Sequence, residues 1–290
     1  MIDLFAQYKG LLFTLAYQLT GSASDAEDIV QDVFVKAHRV DIGQLAEPKA
    51  YLCKMVANRC RDLHKSARKR KEQYFGPWLP EPILVTEADP FESVERRSLL
   101  TYAMLVLMER LTPAERTVFV LREAFGFEYA GIAGMLEKSE TACRKLMSRA
   151  RTRMGMPLDE TVRPEEAGEA WVYRFLEELA GGNVENVVAL LAEDVTVVSD
   201  GGGKASAAVR PIESRDRVSA FLLGLARKPA PNGAPYRFEA LCVNGQTGVV
   251  IRSDEGVETV ALAHVRDGRL KCLYLLRNPD KLVSFQRTLG

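Results

Sequence analysis

The sequence predicts a multidomain protein: two all-α helical domains followed by one α+β domain. Three observations carry that expectation. Apolar residues recur at helical spacing up to about Met156. A short helix, a tight turn and a longer basic helix close this half in a helix-turn-helix pattern. Beyond Pro157, helices give way to β-like runs punctuated by Asn-Gly and Asp-Gly, both strong hairpin dipeptides. At 290 residues, 47% hydrophobic and 27% charged, the chain has material for several small cores.

The elements follow in order. Ser24-Asp25-Ala26-Glu27 reads as a capping box, and Ala26, Ile29, Val30, Val33, Phe34 and Ala37 then form one apolar helix face. Glu27, Asp28, Gln31 and Asp32 lie opposite. A loop covers Asp41 to Pro48, and a long helix runs from Lys49 to Lys71. Tyr74 to Pro82 reads YFGPWLPEP. Proline lacks a backbone donor and fixes φ, so this stretch is neither helix interior nor central strand. Its Trp78 and Leu79 are costly to leave in water, so the strip is expected to dock. With the acidic segment after it, it forms a linker over 74–98, between helical domains at 1–73 and 99–156; the third domain is 157–290.

Thr112-Pro113-Ala114-Glu115 is a second capping box, with proline at the first helical position, opening a helix to about Phe125. A short helix at Tyr129–Leu136, a turn at Glu137-Lys138 and a helix from N-cap Ser139 to Arg153 complete the helix-turn-helix. Past Pro157, helices are expected at Pro164–Ala180, Val184–Leu191 and Ser214–Lys228. Strands are expected at 195–199, 236–243, 248–252, 257–266 and 270–276, with Gly201-Gly202-Gly203 breaking the first.

The formal net charge of zero hides two basic segments. Lys49 to Lys71 holds Lys49, Lys54, Arg59, Arg61, Lys65, Arg68, Lys69, Arg70 and Lys71 against Asp62 alone. Lys138 to Arg153 holds Lys138, Arg144, Lys145, Arg149, Arg151 and Arg153 against Glu140 alone. Two such segments imply two contacts with a polyanion. The 5 cysteines show no metal-ligand spacing and histidines number 3; no metal or cofactor is expected, and each cysteine is read as a small buried apolar residue in a reducing cytoplasm. No signal peptide or membrane span is apparent.

On the last helix of the turn motif, Ala142, Cys143, Leu146, Met147 and Ala150 line one face and Arg144, Lys145, Ser148, Arg149 and Arg151 the other. A recognition helix needs this division: an apolar side for its own domain and a donor-rich side for the major groove. The 49–71 helix offers Asn58, Arg61, Asp62 and Lys65 on one face, with Arg68, Lys69, Arg70 and Lys71 suited to phosphates. The acidic Asp28/Asp32 face repels DNA and suits a basic protein.

These stretches carry a resemblance. GSASDAEDIVQDVFVKAHR (Gly21–Arg39) and AYLCKMVANRCRDLHK (Ala50–Lys65) resemble region 2 of extracytoplasmic-function sigma factors, and LTPAERTVFVLREAFGFEYAGIAGMLEKSETACRKLMSRAR (Leu111–Arg151) resembles region 4. WLPEP, DGGGKASAA (Asp200–Ala208) and NPDKL (Asn278–Leu282) resemble the subfamily with a fused SnoaL-like domain, which implies a C-terminal cone-shaped α+β barrel. The resemblance implies an alternative sigma factor that brings core RNA polymerase, through its clamp helices and flap, to promoter DNA. Asp28, Gln31 and Asp32 would bind polymerase. Asn58, Arg61 and Lys65, with the 41–48 loop, would read the minus-ten element by capturing a flipped base, since region 2 lacks tryptophan. Arg144, Lys145, Ser148 and Arg149 would read the minus-thirty-five element. Trp78, Leu79 and Pro80 of the linker would meet Asp200, Gly201, Gly202, Gly203 and Lys204, with Asn278, Pro279 and Asp280, in a regulatory contact that replaces a separate anti-sigma factor. A concave apolar pocket would take a small apolar ligand.

His264 and Asp200 are the catalytic candidates of the C-terminal domain, but no second group stands at a fixed spacing from either, and no enzyme activity is expected. Two other classes fit the same motifs: a ligand-responsive one-component DNA-binding regulator, and an isomerase- or cyclase-like enzyme tethered to DNA-binding helices.

Overall fold

A computed structural model describes residues 2–38, 40, 45–85, 100–156, 167–228, 233 and 235–289, with the side chains of 2–6, 64–72 and 289 outside the description. Most of the expected 41–48 loop, the later linker, the start of the 164–180 helix and the side chains of Lys65, Arg68, Lys69, Arg70 and Lys71 therefore lie outside it. The chain divides into two units, Met1–Glu72 with Glu87–Arg163 and Gln73–Thr86 with Pro164–Gly290. The division cuts through the stretch read as a linker.

In the first unit, α1 (Ile2–Thr20) buries Leu12, Leu15, Ala16, Tyr17 and Leu19 against α2 (Ala23–Ala37) and α3 (Pro48–Glu72). The capping box expected at Ser24 is not formed. Gly21 (φ 73°) ends α1, and Ser22, in extended conformation, becomes the N-cap. Its Oγ accepts from the Asp25 amide at 3.2 Å, and Ser24 falls within the first turn. The remaining helices are α4 (Tyr102–Met108), α5 (Pro113–Glu123), α6 (Tyr129–Leu136) and α7 (Glu140–Met154). The capping box at α5 is formed on both sides: Thr112 Oγ1 accepts from the Glu115 amide, and Glu115 Oε2 accepts from the Thr112 amide. Val118, Phe119, Val120 and Leu121 are fully buried, because α5 packs on α1 and α3 as well as on α6 and α7.

Arg116 on α5 is 2% exposed. Its Nε donates to the Gln18 carbonyl at 2.7 Å and its Nη1 to Glu109 at 2.6 Å. Gln18 lies in the last turn of α1, where carbonyls lack a helical partner, so a cation from α5 caps α1.

The second unit is α+β: α8 (Glu169–Ala180), α9 (Val184–Ala189), β1 (Leu191–Asp200), β2 (Ile212–Glu213), α10 (Arg215–Ala226), β3 (Arg237–Val243), β4 (Gln246–Ser253), β5 (Gly256–Arg266), β6 (Arg269–Leu276) and α11 (Val283–Leu289). Gly168 is the N-cap of α8, so the helix starts later than Pro164. The sheet order is β2-β1-β6-β5-β4-β3, with β1 and β6 parallel and every other pair antiparallel. Register shifts in β1/β6, β4/β5 and β5/β6 bend the sheet. Asn244-Gly245 and Asp267-Gly268 carry positive φ at both positions, as tight hairpins require.

Side chains alternate across a strand, so each strand serves two faces. Val195, Val197, Val249, Ala261, Leu273 and Leu275 form a core with Val172 and Phe175 of α8 and Val218 and Leu222 of α10. The intervening residues Val250, Val260, Leu262, Tyr274 and Leu276 point the other way and are buried too. On that side α11 packs on β5, where Gln286 both accepts from and donates to the Val257 backbone. Residues 73–85 add a short edge: Leu84 bridges Val243 antiparallel, Val85 N–H donates to Cys242 O, and Asn244 N–H donates to Ile83 O. Among the described residues, no helix is long and apolar enough to cross a membrane.

Candidate functional site

The helix-turn-helix is α6, a turn and α7. Glu137 ends α6 in the left-handed region (φ 55°), and Ser139 Oγ caps α7 by accepting from the Ala142 amide at 3.2 Å. Cys143, Met147, Ala150 and Met154 face inward. Arg144, Lys145, Ser148 and Arg149 are exposed on one outer face. Arg151 does not join them: it is buried and its Nη2 meets Glu123 of α5 at 2.7 Å. Four residues on from Met147, it shares the inner face, and Glu123 neutralises it there. Arg153 likewise turns to Glu115 at 2.8 Å.

On α3, Arg61 is exposed and Asn58 half-buried, three residues apart and on one side of the helix. Arg59 between them faces α2, its Nε 2.8 Å from Asp32 Oδ2. Asp28 and Gln31 are exposed, whereas Asp32 is held by this ion pair. Lys54 on α3 meets Glu137, the turn residue of the helix-turn-helix, at 3.1 Å.

A second constellation centres on Asp200, the last residue of β1, whose side chain is fully buried. Both oxygens are engaged. Oδ1 accepts from Tyr74 Oη at 2.6 Å and from the Gly202 amide at 3.1 Å. Oδ2 accepts from the Leu79 amide at 2.9 Å and Lys281 Nζ at 2.7 Å. The Asp200 carbonyl accepts from the Arg277 and Asn278 amides. Lys281 also donates to the Leu79 carbonyl and lies 4.1 Å over the Trp78 ring and 4.9 Å over the Tyr74 ring. Leu79 and Pro80 are buried and Trp78 half-buried. Asn278 caps the short 3₁₀ turn Pro279–Lys281 that presents the lysine, and donates to Tyr74 Oη at 2.7 Å. Burial first, then the Asp200 hydrogen bond, holds the Tyr74 phenol well above its ordinary pKa, so it remains a donor.

The glycines after Asp200 are there for space. A Cβ at Gly201 would lie 2.3 Å from the Ala205 carbonyl, and one at Gly202 (φ 58°) 2.4 Å from Asn278 Nδ2. Lys204 reaches outward to an exposed ion pair with Asp280. The structure thus gathers Trp78, Leu79, Asp200, Gly202 and Asn278 in one network, and sets Lys204, Pro279 and Asp280 at its rim. Tyr74 and Lys281 carry as much of it but are missed as site residues by the sequence reading. A buried aspartate demands a cation, and the lysine inside NPDKL was the signal available.

Among the described residues, no group of three or more His, Cys, Asp and Glu side chains gathers as a metal site. Cys53, Cys60 and Cys143 are buried, but Cys242 and Cys272 are only half-buried. Burial pushes the Cys53 and Cys60 thiols up to about 12.

Sigma-70 region 2 matches residues 4–70, and Sigma-70, region 4 matches residues 102–154. The ECF RNA polymerase sigma factor SigJ of Mycobacterium tuberculosis is 36% identical, over 97% of this chain and 92% of its own. The probable ECF RNA polymerase sigma factor SigI of the same organism is 27% identical, over 98% and 95%. The crystal structure of Mycobacterium tuberculosis SigJ superposes with a TM-score of 0.77 at 33% identity, covering 97% of this chain and 98% of that one.

Proposed function

The chain belongs to the extracytoplasmic-function family of RNA polymerase sigma factors, which direct the polymerase to promoters, and from that premise we propose how its residues divide the work. The exposed edge of α7, Arg144, Lys145, Ser148 and Arg149, reads the minus-thirty-five element in the major groove. The Asn58, Arg61 and Lys65 side of α3 handles the minus-ten element. Asp28 and Gln31, with Asp32 once it leaves Arg59, meet a basic surface on the polymerase clamp helices. Exposure of one donor-rich face on a well-capped helix behind a left-handed turn is the observation that carries the reading.

The C-terminal unit is read as a regulator. The strip it holds is the chain that joins α3 to α4, and so joins region 2 to region 4. Asp200 is a poor candidate for a catalytic base, because both its oxygens are engaged, by Tyr74 and the Leu79 amide of that strip and by the Gly202 amide and Lys281. A small apolar ligand in this domain would need space opened between α8, α10 and the sheet, where the apolar core is packed.

Transcription in vitro with core polymerase tests the assignment. Asp28→Lys should abolish polymerase binding and leave the circular dichroism spectrum and melting temperature unchanged. Arg149→Ala should preserve polymerase binding and weaken promoter binding. Full polymerase binding by Asp28→Lys would remove the α2 face from the mechanism.

A further inference from the structure

Tyr129 is the first residue of α6, and its ring meets two guanidinium groups. Arg144 Cζ lies 4.3 Å from the ring centroid and Arg122 Cζ 5.2 Å. The two arginines are placed differently. Arg122 belongs to its own loop: Nη1 donates to the Phe127 carbonyl at 3.1 Å and pairs with Glu128 at 2.9 Å. Arg144 has an ion pair with Glu140 at 3.7 Å, too long for a hydrogen bond, and its side chain is 62% exposed. The aromatic face restrains it beside that loose, exposed ion pair. Stacking restrains a guanidinium plane without using its N–H donors. A guanine edge in the major groove needs those donors, paired and in plane.

We propose that Tyr129 is a positioning residue for promoter readout, fixing the Arg144 guanidinium so that it meets one guanine of the promoter bidentately. The inference rests on the reading of α7 as the promoter-reading helix. Arg122, clamped to the α5–α6 loop, holds the ring in turn.

The test uses the full chain in holoenzyme, with promoter fragments randomised in the minus-thirty-five element. Arg144→Ala should flatten the base preference at one position. Tyr129→Leu should flatten that same position and lower occupancy of the preferred sequence about 2- to 5-fold, the size of an exposed cation–π contact. Tyr129→Phe, which keeps the ring, should behave as the parent. In an Arg144→Lys background, where the charge remains and the planar stack is gone, Tyr129→Leu should cost nothing further. A uniform loss across all sequences with Tyr129→Leu, or a loss that persists beside Arg144→Lys, overturns the positioning role. If Arg144→Ala flattens a position and Tyr129→Leu does not, the positioning role falls and the reading of α7 stands. If Arg144→Ala changes no base preference, the reading of α7 at this residue falls and takes the proposal with it. Should Tyr129→Leu fail to fold, the Tyr129→Phe and Arg144→Lys profiles still decide: Phe must match the parent, and Lys must lose the same position as Ala.

Discussion

Two lysines stand close to the same loop, and the structure separates their worth. Lys281 is 11% exposed and shares a fully buried carboxylate, whereas Lys204 and Asp280 are each more than half exposed. Removing one partner of a buried pair strands the other charge, at a cost of about 3–5 kcal/mol, while exposed pairs are worth about 0–1 kcal/mol. Lys281→Ala should therefore lower the stability of the C-terminal unit by several kcal/mol in urea denaturation, and Lys204→Ala should leave the midpoint nearly in place. Equal losses would mean that solvent reaches Asp200. Gly202→Ala should also destabilise, through a positive φ and a Cβ driven onto Asn278 and Tyr74; the shortened variant Asn278→Ala should recover part of the loss by relieving the clash.

At the scale of elements, the helix-turn-helix and the helix before it were legible because most of their boundaries have a local chemical cause. Thr112 with Glu115 caps α5 and Ser139 caps α7, and the turn between α6 and α7 needs only one left-handed residue. Ser24 misled for an equally local reason: it pairs in spacing with Glu27, but Gly21 had already set the start of α2 two residues earlier. Arg151 was misread because charge alone argued for an outer face, and its partner Glu123 sits on another helix. The Asp200 network is harder still. Its DGGGK, WLPEP and NPDKL pieces could be named from resemblance, yet the bonds that bring in Tyr74 and Lys281 join residues remote in sequence. Arg116 is another such case, a basic residue in a capped helix whose burial follows only from the docking of α5 on α1. Arg116→Ala should loosen that docking, by about 1.5–3 kcal/mol for hydrogen bonds to a charged group. Hydrogen exchange would report it as lost protection at the last turn of α1 and at α5 together. Loss confined to α5 would mean that the cap on α1 contributes little.

At the scale of the whole molecule, the chain order matters more than any one contact. The C-terminal unit does not simply follow regions 2 and 4; it grips the covalent connection between them. Leu79→Asp in the full-length chain should release the strip, because an unpaired carboxylate is costly at that buried position. The expected signature is proteolytic cleavage within 73–85 at unchanged cleavage elsewhere, together with a change in promoter-dependent transcription. An increase would mark the grip as a brake and a decrease as a scaffold; no change would dissociate the strip from activity. The grip also sets a length. The roughly 30 residues between Glu72 and Tyr102 could reach about 100 Å when fully extended. Holding 73–85 takes that stretch out of the reach. Once α5 leaves α1 and α3, a clasp on the tether would change the local concentration of one DNA-reading head around the other, so releasing 73–85 would retune which promoter spacings the two heads can bridge at once, without altering a single base contact.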